Sequence, residues 1–375
     1  MRTRVTKAEM IRSLPEPVVL PEEAAEIIRR GGLVAFPTET VYGLGADAFN
    51  EEACAQIYEA KGRPSDNPLI VHIAEYEAIL RLTDDRNPRM KALAESFWPG
   101  PLTMIVKRGR NSVPDAVTGG RDTVAVRWPS HPVAQALIRA AGGYIAAPSA
   151  NRSGRPSPTK ASHVIEDLDG RIDMIIDGGD TQVGLESTIV DLSGEEVRIL
   201  RPGMIGAEEI ARVLAAPEGV SQLPSAAAAE EAEEALAPGM KYTHYAPKGE
   251  MTLVSGDKEH MISYINRSAA DTDKITGVIS SEENAALYKA DVIISCGSRT
   301  DGAAVAQRLY AALREMDARG AELIFCEDFS EADKTGAIAN RLHKASGGRH
   351  VFAEADGRVR AKQNPGGGQR DGTAI

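Results

Sequence analysis

Three cysteines, Cys54, Cys296 and Cys326, lie far apart in a chain of 375 residues. An odd, scattered set supports neither a disulfide framework nor a metal-ligand spacing, so all three are expected as buried thiols in a reducing compartment. No metal site is expected. Long apolar runs are missing, and Met1-Arg2-Thr3-Arg4-Val5 has no apolar leader core, so neither a membrane span nor a secretion signal is expected and the cytoplasm is the expected location. Basic residues are in deficit: 43 Lys and Arg against 54 Asp and Glu leave a net charge of −11. Such a chain is a poor general binder of nucleic acid, because phosphate contacts need local positive charge. Aromatics are only 5% and do not interleave with basic residues, which argues against a single-strand platform. The Walker A pattern G-x-x-x-x-G-K-[ST] is absent, which excludes a P-loop, and the second half shows no G-x-G-x-x-G fingerprint.

What remains is a chain with 42% hydrophobic residues, enough for a full core, and a length that suggests two domains. Its centre of interest is Phe36-Pro37-Thr38-Glu39-Thr40-Val41-Tyr42-Gly43-Leu44-Gly45. The apolar run Leu33-Val34-Ala35 before it reads as a buried strand, and Pro37 removes a backbone donor, so a polar, Gly-bearing loop is expected from there. Strand ends of this kind are where α/β proteins place ligands. Two further clusters stand at element ends. Lys61-Gly62-Arg63 offers a point charge and a bidentate guanidinium for phosphate. Ser149-Ala150-Asn151, followed by Arg152, Ser153, Gly154, Arg155 and Ser157, offers small hydroxyl and amide groups that can cradle an anion. The three clusters are expected to meet at one nucleotide site.

Strands are predicted at 69–73, 102–106, 123–127, 144–147, 174–176, 188–190 and 197–200. Helices are predicted from Pro21 to Gly31, at 51–60, at 131–141, and from a Thr159 cap to Leu168. Their mixed order predicts an α/β domain over residues 1–214 with a twisted, partly antiparallel sheet. Residues 215–247 read as a linker, acidic and of low complexity, except that Met240–Pro247 carries Tyr242, His244 and Tyr245. From Met251, regular strand–helix alternation predicts a smaller three-layer, Rossmann-like α/β domain over 248–348. Residues 349–375, with Pro365-Gly366-Gly367-Gly368, are expected to be a frayed tail.

The motifs carry a resemblance. Phe36 to Gly45, Lys61-Gly62-Arg63-Pro64, Asn67-Pro68-Leu69-Ile70-Val71-His72, Trp98-Pro99-Gly100-Pro101-Leu102-Thr103, Thr123-Val124-Ala125-Val126-Arg127, Pro148-Ser149-Ala150-Asn151, Glu186-Ser187-Thr188-Ile189-Val190-Asp191 and Leu200-Arg201-Pro202-Gly203 stand in one order. With His244-Tyr245-Ala246-Pro247, they make the chain resemble the two-domain form of the YrdC-like L-threonylcarbamoyladenylate synthases over about residues 15–345. The resemblance implies adenylyl transfer: L-threonine, bicarbonate and ATP give threonylcarbamoyl-AMP and pyrophosphate. The product then goes to a separate tRNA threonylcarbamoyl-transferase machinery, with direct tRNA binding weak or absent. It implies Thr40, His72, Arg127, Ala147 and Ser187 around threonine. Around ATP it implies Arg63, Asn67, Thr123, Ser149, Asn151, Ser157 and Arg201, with Lys61 on the phosphates and Tyr245 or Tyr242 closing over the nucleotide. Lys61 and Arg63 would carry catalysis. ATP would be a substrate accompanied by Mg²⁺, with no tightly bound cofactor. Trp128 stands beside Arg127 where this family more often has Met, and Asp333-Lys334-Thr335-Gly336-Ala337 is less Gly-rich than usual. Rival readings are an RNA-binding or ribosome-assembly module on the same fold, and a carbamoyl-transfer enzyme using carbamoyl phosphate.

Overall fold

A computed structural model describes residues 3–7, 22–215, 220–222, 245–355 and 359–361. The first half runs β1 (Arg4–Lys7), α1 (Glu22–Arg29), β2 (Val34–Phe36), β3 (Gly43–Asp47), α2 (Glu51–Lys61), β4 (Ile70–His72), α3 (Pro88–Phe97), β5 (Leu102–Lys107), α4 (Asp115–Thr118), β6 (Thr123–Arg127), α5 (Pro132–Ala140), β7 (Ile145–Ala147), α6 (Ala161–Leu168), β8 (Met174–Asp177), β9 (Thr188–Asp191), β10 (Arg198–Arg201), α7 (Ala207–Val213) and β11 (Ser221–Gln222). The second runs β12 (Glu250–Gly256), α8 (Lys258–Ala270), β13 (Thr276–Ser280), β14 (Val292–Ser295), α9 (Gly302–Ala318), β15 (Leu323–Glu327), α10 (Ala337–Ala345), β16 (His350–Ala353) and β17 (Val359–Ala361).

The first sheet is mixed, as expected, in the order β1-β8-β2-β3-β7-β4-β6-β5-β9-β10-β11. One face packs against α2, α3 and α6 through Ile57, Leu93 and Leu168, and the other against α1 and α5 through Ile28 and Leu137. The second sheet, β14-β13-β15-β12-β16-β17, is parallel apart from β17. Met261 and Ile265 of α8 cover one face, and Leu309 and Leu313 of α9 with Leu342 of α10 cover the other, giving the three layers expected. Among the described residues no helix is long and apolar enough to cross a membrane. All three cysteines are buried and unpaired.

Three expectations change. The stretch Phe36–Gly45 is not all loop: β2 and β3 pair antiparallel, Phe36 facing Gly43 and Val34 facing Gly45. The glycines serve packing there. A Cβ on Gly45 would lie 2.7 Å from Ile145 Cγ2 and 2.9 Å from the Phe36 ring, so no side chain fits. Thr159 does not cap α6. Lys160 takes the N-cap position, while the Thr159 carbonyl accepts from Thr181 N at 3.0 Å and draws the backbone toward that loop. The expected tail at 349–375 begins instead with structure: His350–Ala353 adds to β12, its His350 facing Leu253, because Arg349 Nε also anchors the Met251 carbonyl at 3.0 Å. Residues 223–244, within the expected linker and including Tyr242 and His244, lie outside the described residues, as do 356–358 and 362–375.

The two halves dock through buried charge. Arg314 of α9 donates to Asp167 at 2.6 Å and to the Pro156 carbonyl at 2.6 Å, and Arg155 donates to the other Asp167 oxygen at 2.6 Å. Gly184 makes close approach possible: with φ +81°, its missing Cβ would stand 2.4 Å from Gln307 Cα of α9. The apolar core of the second half continues across the junction to Val41, Leu185 and Tyr245.

Candidate active site

Backbone hydrogen bonds bring the three sequence clusters together. Ala150 N donates to the Tyr42 carbonyl at 2.8 Å, Leu44 N to the Pro148 carbonyl at 2.9 Å, and Ser153 N to the Lys61 carbonyl at 2.9 Å. The hairpin loop itself is stapled by Thr38, whose Oγ donates to the Val41 carbonyl at 2.6 Å and accepts from Thr40 N and Val41 N. The Tyr42 hydroxyl, a candidate in the loop, is already committed: it donates to the Gly179 carbonyl at 2.7 Å, and burial raises its pKa so that it stays neutral. The resulting cleft has about 680 Å³ of space, its open mouth included.

Lys61 and Arg63 owe their placement to the end of α2. Gly62 adopts the left-handed conformation (φ 62°), and the amides of Gly62 and Arg63 return to the carbonyls of Glu59 and Tyr58. Asn50 caps the other end, accepting from Ala53 N at 2.9 Å. Lys61 Nζ then reaches the Ser149 carbonyl at 2.6 Å and the Asn151 carbonyl. Burial first, and Arg63 second, push the Lys61 pKa well down. Arg63 is bonded to Asn67 Oδ1 at 2.6 Å and to the Pro68 carbonyl at 3.1 Å, and burial lowers its pKa to about 10. Ser149 Oγ donates to Asn151 Oδ1 at 2.5 Å.

A second subsite forms where β4 and β6 run parallel and place His72 beside Arg127. Arg127 donates to Thr40 Oγ at 2.9 Å and to Glu39 at 2.7 Å, a buried ion pair that fixes the guanidinium. His72 Nδ1 lies 3.1 Å from the Ile70 carbonyl. That carbonyl can only accept, so Nδ1 is assigned the proton and Nε2 remains an acceptor. Burial and then Arg127 drive the His72 pKa down to about 3, so the ring is neutral. Ser187 Oγ pairs with Thr103 Oγ at 2.7 Å and accepts from Arg201 Nη2 at 3.1 Å.

Of the residues singled out from sequence, Thr40, Lys61, Arg63, His72, Arg127, Ala147, Ser149, Asn151, Ser187, Arg201 and Tyr245 all line this one cleft. Asn67, Thr123 and Ser157 do not. Asn67 holds Arg63 from behind, Thr123 begins β6, and Ser157 Oγ donates to Glu186 at 2.5 Å. Trp128 packs against the main core and does not reach the cleft. Tyr245 is 5% exposed, has φ 70°, and lies over Tyr310 with ring centroids 5.2 Å apart. A left-handed tyrosine is held against roughly 1–3 kcal/mol of strain, so its surroundings over-determine it. Sequence reasoning missed Glu39, Glu186, Tyr310 and Arg341. Glu186 stands within a quoted motif, but nothing in the spacing signals the two residues from the far half of the chain.

The cleft therefore gathers Lys61, Arg63, Arg127 and Arg201 with one carboxylate, Glu186, and the neutral His72, in a molecule that is acidic as a whole. Such a lining can bind an anion beside a small polar molecule. Residues 26–203 match the Sua5/YciO/YrdC family, described as telomere recombination, and residues 205–347 match the family described as threonylcarbamoyl-AMP synthase, C-terminal domain. A threonylcarbamoyl-AMP synthase of Bacillus subtilis is 47% identical over 329 residues, covering 88% of this chain and 93% of its own. One from Schizosaccharomyces pombe is 38% identical, covering 87% of this chain and 88% of its own. The crystal structure of Pyrococcus abyssi Sua5 complexed with L-threonine superposes with a TM-score of 0.85 at 42% identity, covering 94% of this chain and 100% of that one.

Proposed function

Because the chain belongs to the threonylcarbamoyl-AMP synthase family, we propose that its cleft joins L-threonine, bicarbonate and ATP into threonylcarbamoyl-AMP and pyrophosphate. The observation that carries this reading is the meeting of Lys61, Arg63 and Arg201 with the His72–Arg127 pocket in one cleft. Arg127 would take the threonine carboxylate, while Thr40 and Ser187 offer partners to its hydroxyl. His72, held neutral by burial and Arg127, walls the pocket without adding charge. The threonine ammonium first gives a proton to solvent. The free amine then forms the N–C bond, either to carbon dioxide with loss of a second proton or to bicarbonate with loss of water, and leaves the carbamate. A carbamate oxygen then attacks the α-phosphorus and expels pyrophosphate. Charge grows on phosphate oxygens during that step, so Lys61, Arg63 and Arg201, fixed beforehand by their hydrogen bonds, stabilise it.

A carbamate is easily lost to water, and Tyr245 over the cleft limits that loss. Among the described residues no group of three His, Cys, Asp or Glu could hold a metal ion. In this reading Mg²⁺ comes with ATP as part of the substrate. In this reading residues 1–214 form the catalytic domain and 248–348 the second domain, and Tyr245, from between them, stands in the cleft wall. The product passes, in the cytoplasm, to the machinery that modifies adenosine in tRNA. Mass spectrometry of products from ATP, bicarbonate and threonine tests the reading. Threonylcarbamoyl-AMP and pyrophosphate are expected, and no threonine-dependent pyrophosphate would overturn it.

A further inference from the structure

Glu186 is an odd neighbour for a nucleotide, a carboxylate in a cleft walled by Lys61, Arg63, Arg127 and Arg201. Its oxygens are engaged from the far side. Ser157 Oγ donates at 2.5 Å, the Tyr310 hydroxyl at 2.9 Å and Arg341 Nε at 3.0 Å. Tyr310 belongs to α9 and Arg341 to α10, both in the second half of the chain. Arg341 is 0% exposed, and its Nη1 also donates to the Pro202 carbonyl at 2.7 Å. One planar guanidinium thus joins the residue before Ser187 to the residue after Arg201. Those two are bonded to each other, Arg201 Nε to the Ser187 carbonyl at 3.1 Å and Nη2 to Ser187 Oγ at 3.1 Å.

We propose that Arg341, assisted by Tyr310, is a positioning residue for the cleft: it neutralises Glu186 and holds Ser187 and Arg201 in register for ATP and threonine. The inference rests on the reading of the cleft as an ATP site. Without Arg341, a buried carboxylate would face the triphosphate with its largest compensating charge gone and Arg201 left to serve both it and the nucleotide, and like charges in a low-dielectric cleft repel strongly. The Ser187–Arg201 pair would also lose its brace, because no other side chain bridges Glu186 and Pro202 among the described hydrogen bonds. The second half of the chain thereby contributes to substrate binding without touching substrate.

The test is steady-state pyrophosphate release by the full chain, with ATP and threonine varied separately. Threonine-dependent release by the unsubstituted protein is the internal reference; its failure would count against the proposed function, not against Arg341. With that reference intact, Arg341→Met should lower kcat/KM for ATP by about 100-fold or more, chiefly as a raised KM. Adding Glu186→Gln should recover about tenfold or more of that loss, because the stranded charge is removed. A role in packing alone would leave the double variant no better than the single one. If Arg341→Met shows no cooperative melting transition, Tyr310→Phe replaces it, with an expected rise in KM for ATP of about three- to tenfold. An unchanged KM for ATP in the folded variants, or no recovery in the double variant, overturns the inference.

Discussion

His72 is a buried neutral imidazole, and that state ties stability to pH. In the unfolded chain the ring takes up a proton near pH 6.5, whereas in the folded protein burial and Arg127 delay uptake to about pH 3. Between those values protons bind preferentially to the unfolded state, so stability is full above pH 6.5 and falls as pH drops toward 3. Each unit of separation is worth about 1.4 kcal/mol. Urea unfolding from pH 7 down to pH 4 should show a shallower decline for His72→Gln than for the parent protein; equal slopes would mean the imidazole is not held neutral. Lys61 and Arg63 carry a different expectation. Each alanine variant should lose on the order of 2–4 kcal/mol of transition-state stabilisation while keeping a cooperative melting transition. Pyrophosphate release at the parental rate by both variants would sink their assignment. These residues were legible because residue type and motif order point to phosphate. Arg341 was not, because it sits in an amphipathic helix whose pattern reports only burial, and its carboxylate partner lies 155 positions away. Ser157 shows the reverse error: its hydroxyl looked available, but Glu186 takes it.

Among the elements, short strands were read well where β-branched residues run together, as in Thr123–Arg127 and Met174–Asp177. β3 was hidden because two of its five residues are glycine, and glycine reads as a turn until Phe36 and Ile145 are seen pressing on it. Gly184 is a similar case, now at the junction of α9 with the loop before Ser187. Gly184→Ala forces a side chain into a left-handed residue and against the Gln307 backbone. A loss of at least about 1 kcal/mol is expected from the backbone conformation alone. The clash should also raise KM, because Glu186 and Ser187 follow two and three residues later. A urea midpoint and KM identical to those of the parent would show that α9 yields freely.

At the scale of the whole molecule, the two-part α/β architecture was legible from the change of composition after Leu214 and the alternation that restarts at Met251. How the parts meet was not, since Arg314–Asp167 and Arg341–Glu186 join residues far apart in sequence. A chain ending at Leu214 should therefore turn over slowly: it lacks Tyr245 from the cleft wall, and Glu186 loses Tyr310 and Arg341. Tyr245→Ala in the full chain should share part of the defect, read as a lower kcat for pyrophosphate release. Full activity in the shortened chain would reduce the second half to an appendage.

The contact of Gly184 with α9 also reaches the amide protons beneath it. Val183 N donates to the Glu39 carbonyl at 2.8 Å and Gly184 N to the Thr40 carbonyl at 3.1 Å, while Leu185 is sealed in the far core. Solvent deuterons reach those two amides when α9 lifts away, even though both bonds lie wholly within the first half of the chain. Because the two bonds must open as well, their protection factors set an upper limit on the free energy of separating the halves. Saturating ATP and threonine should slow both exchanges together, which turns two backbone protons into a gauge of how firmly the site is shut.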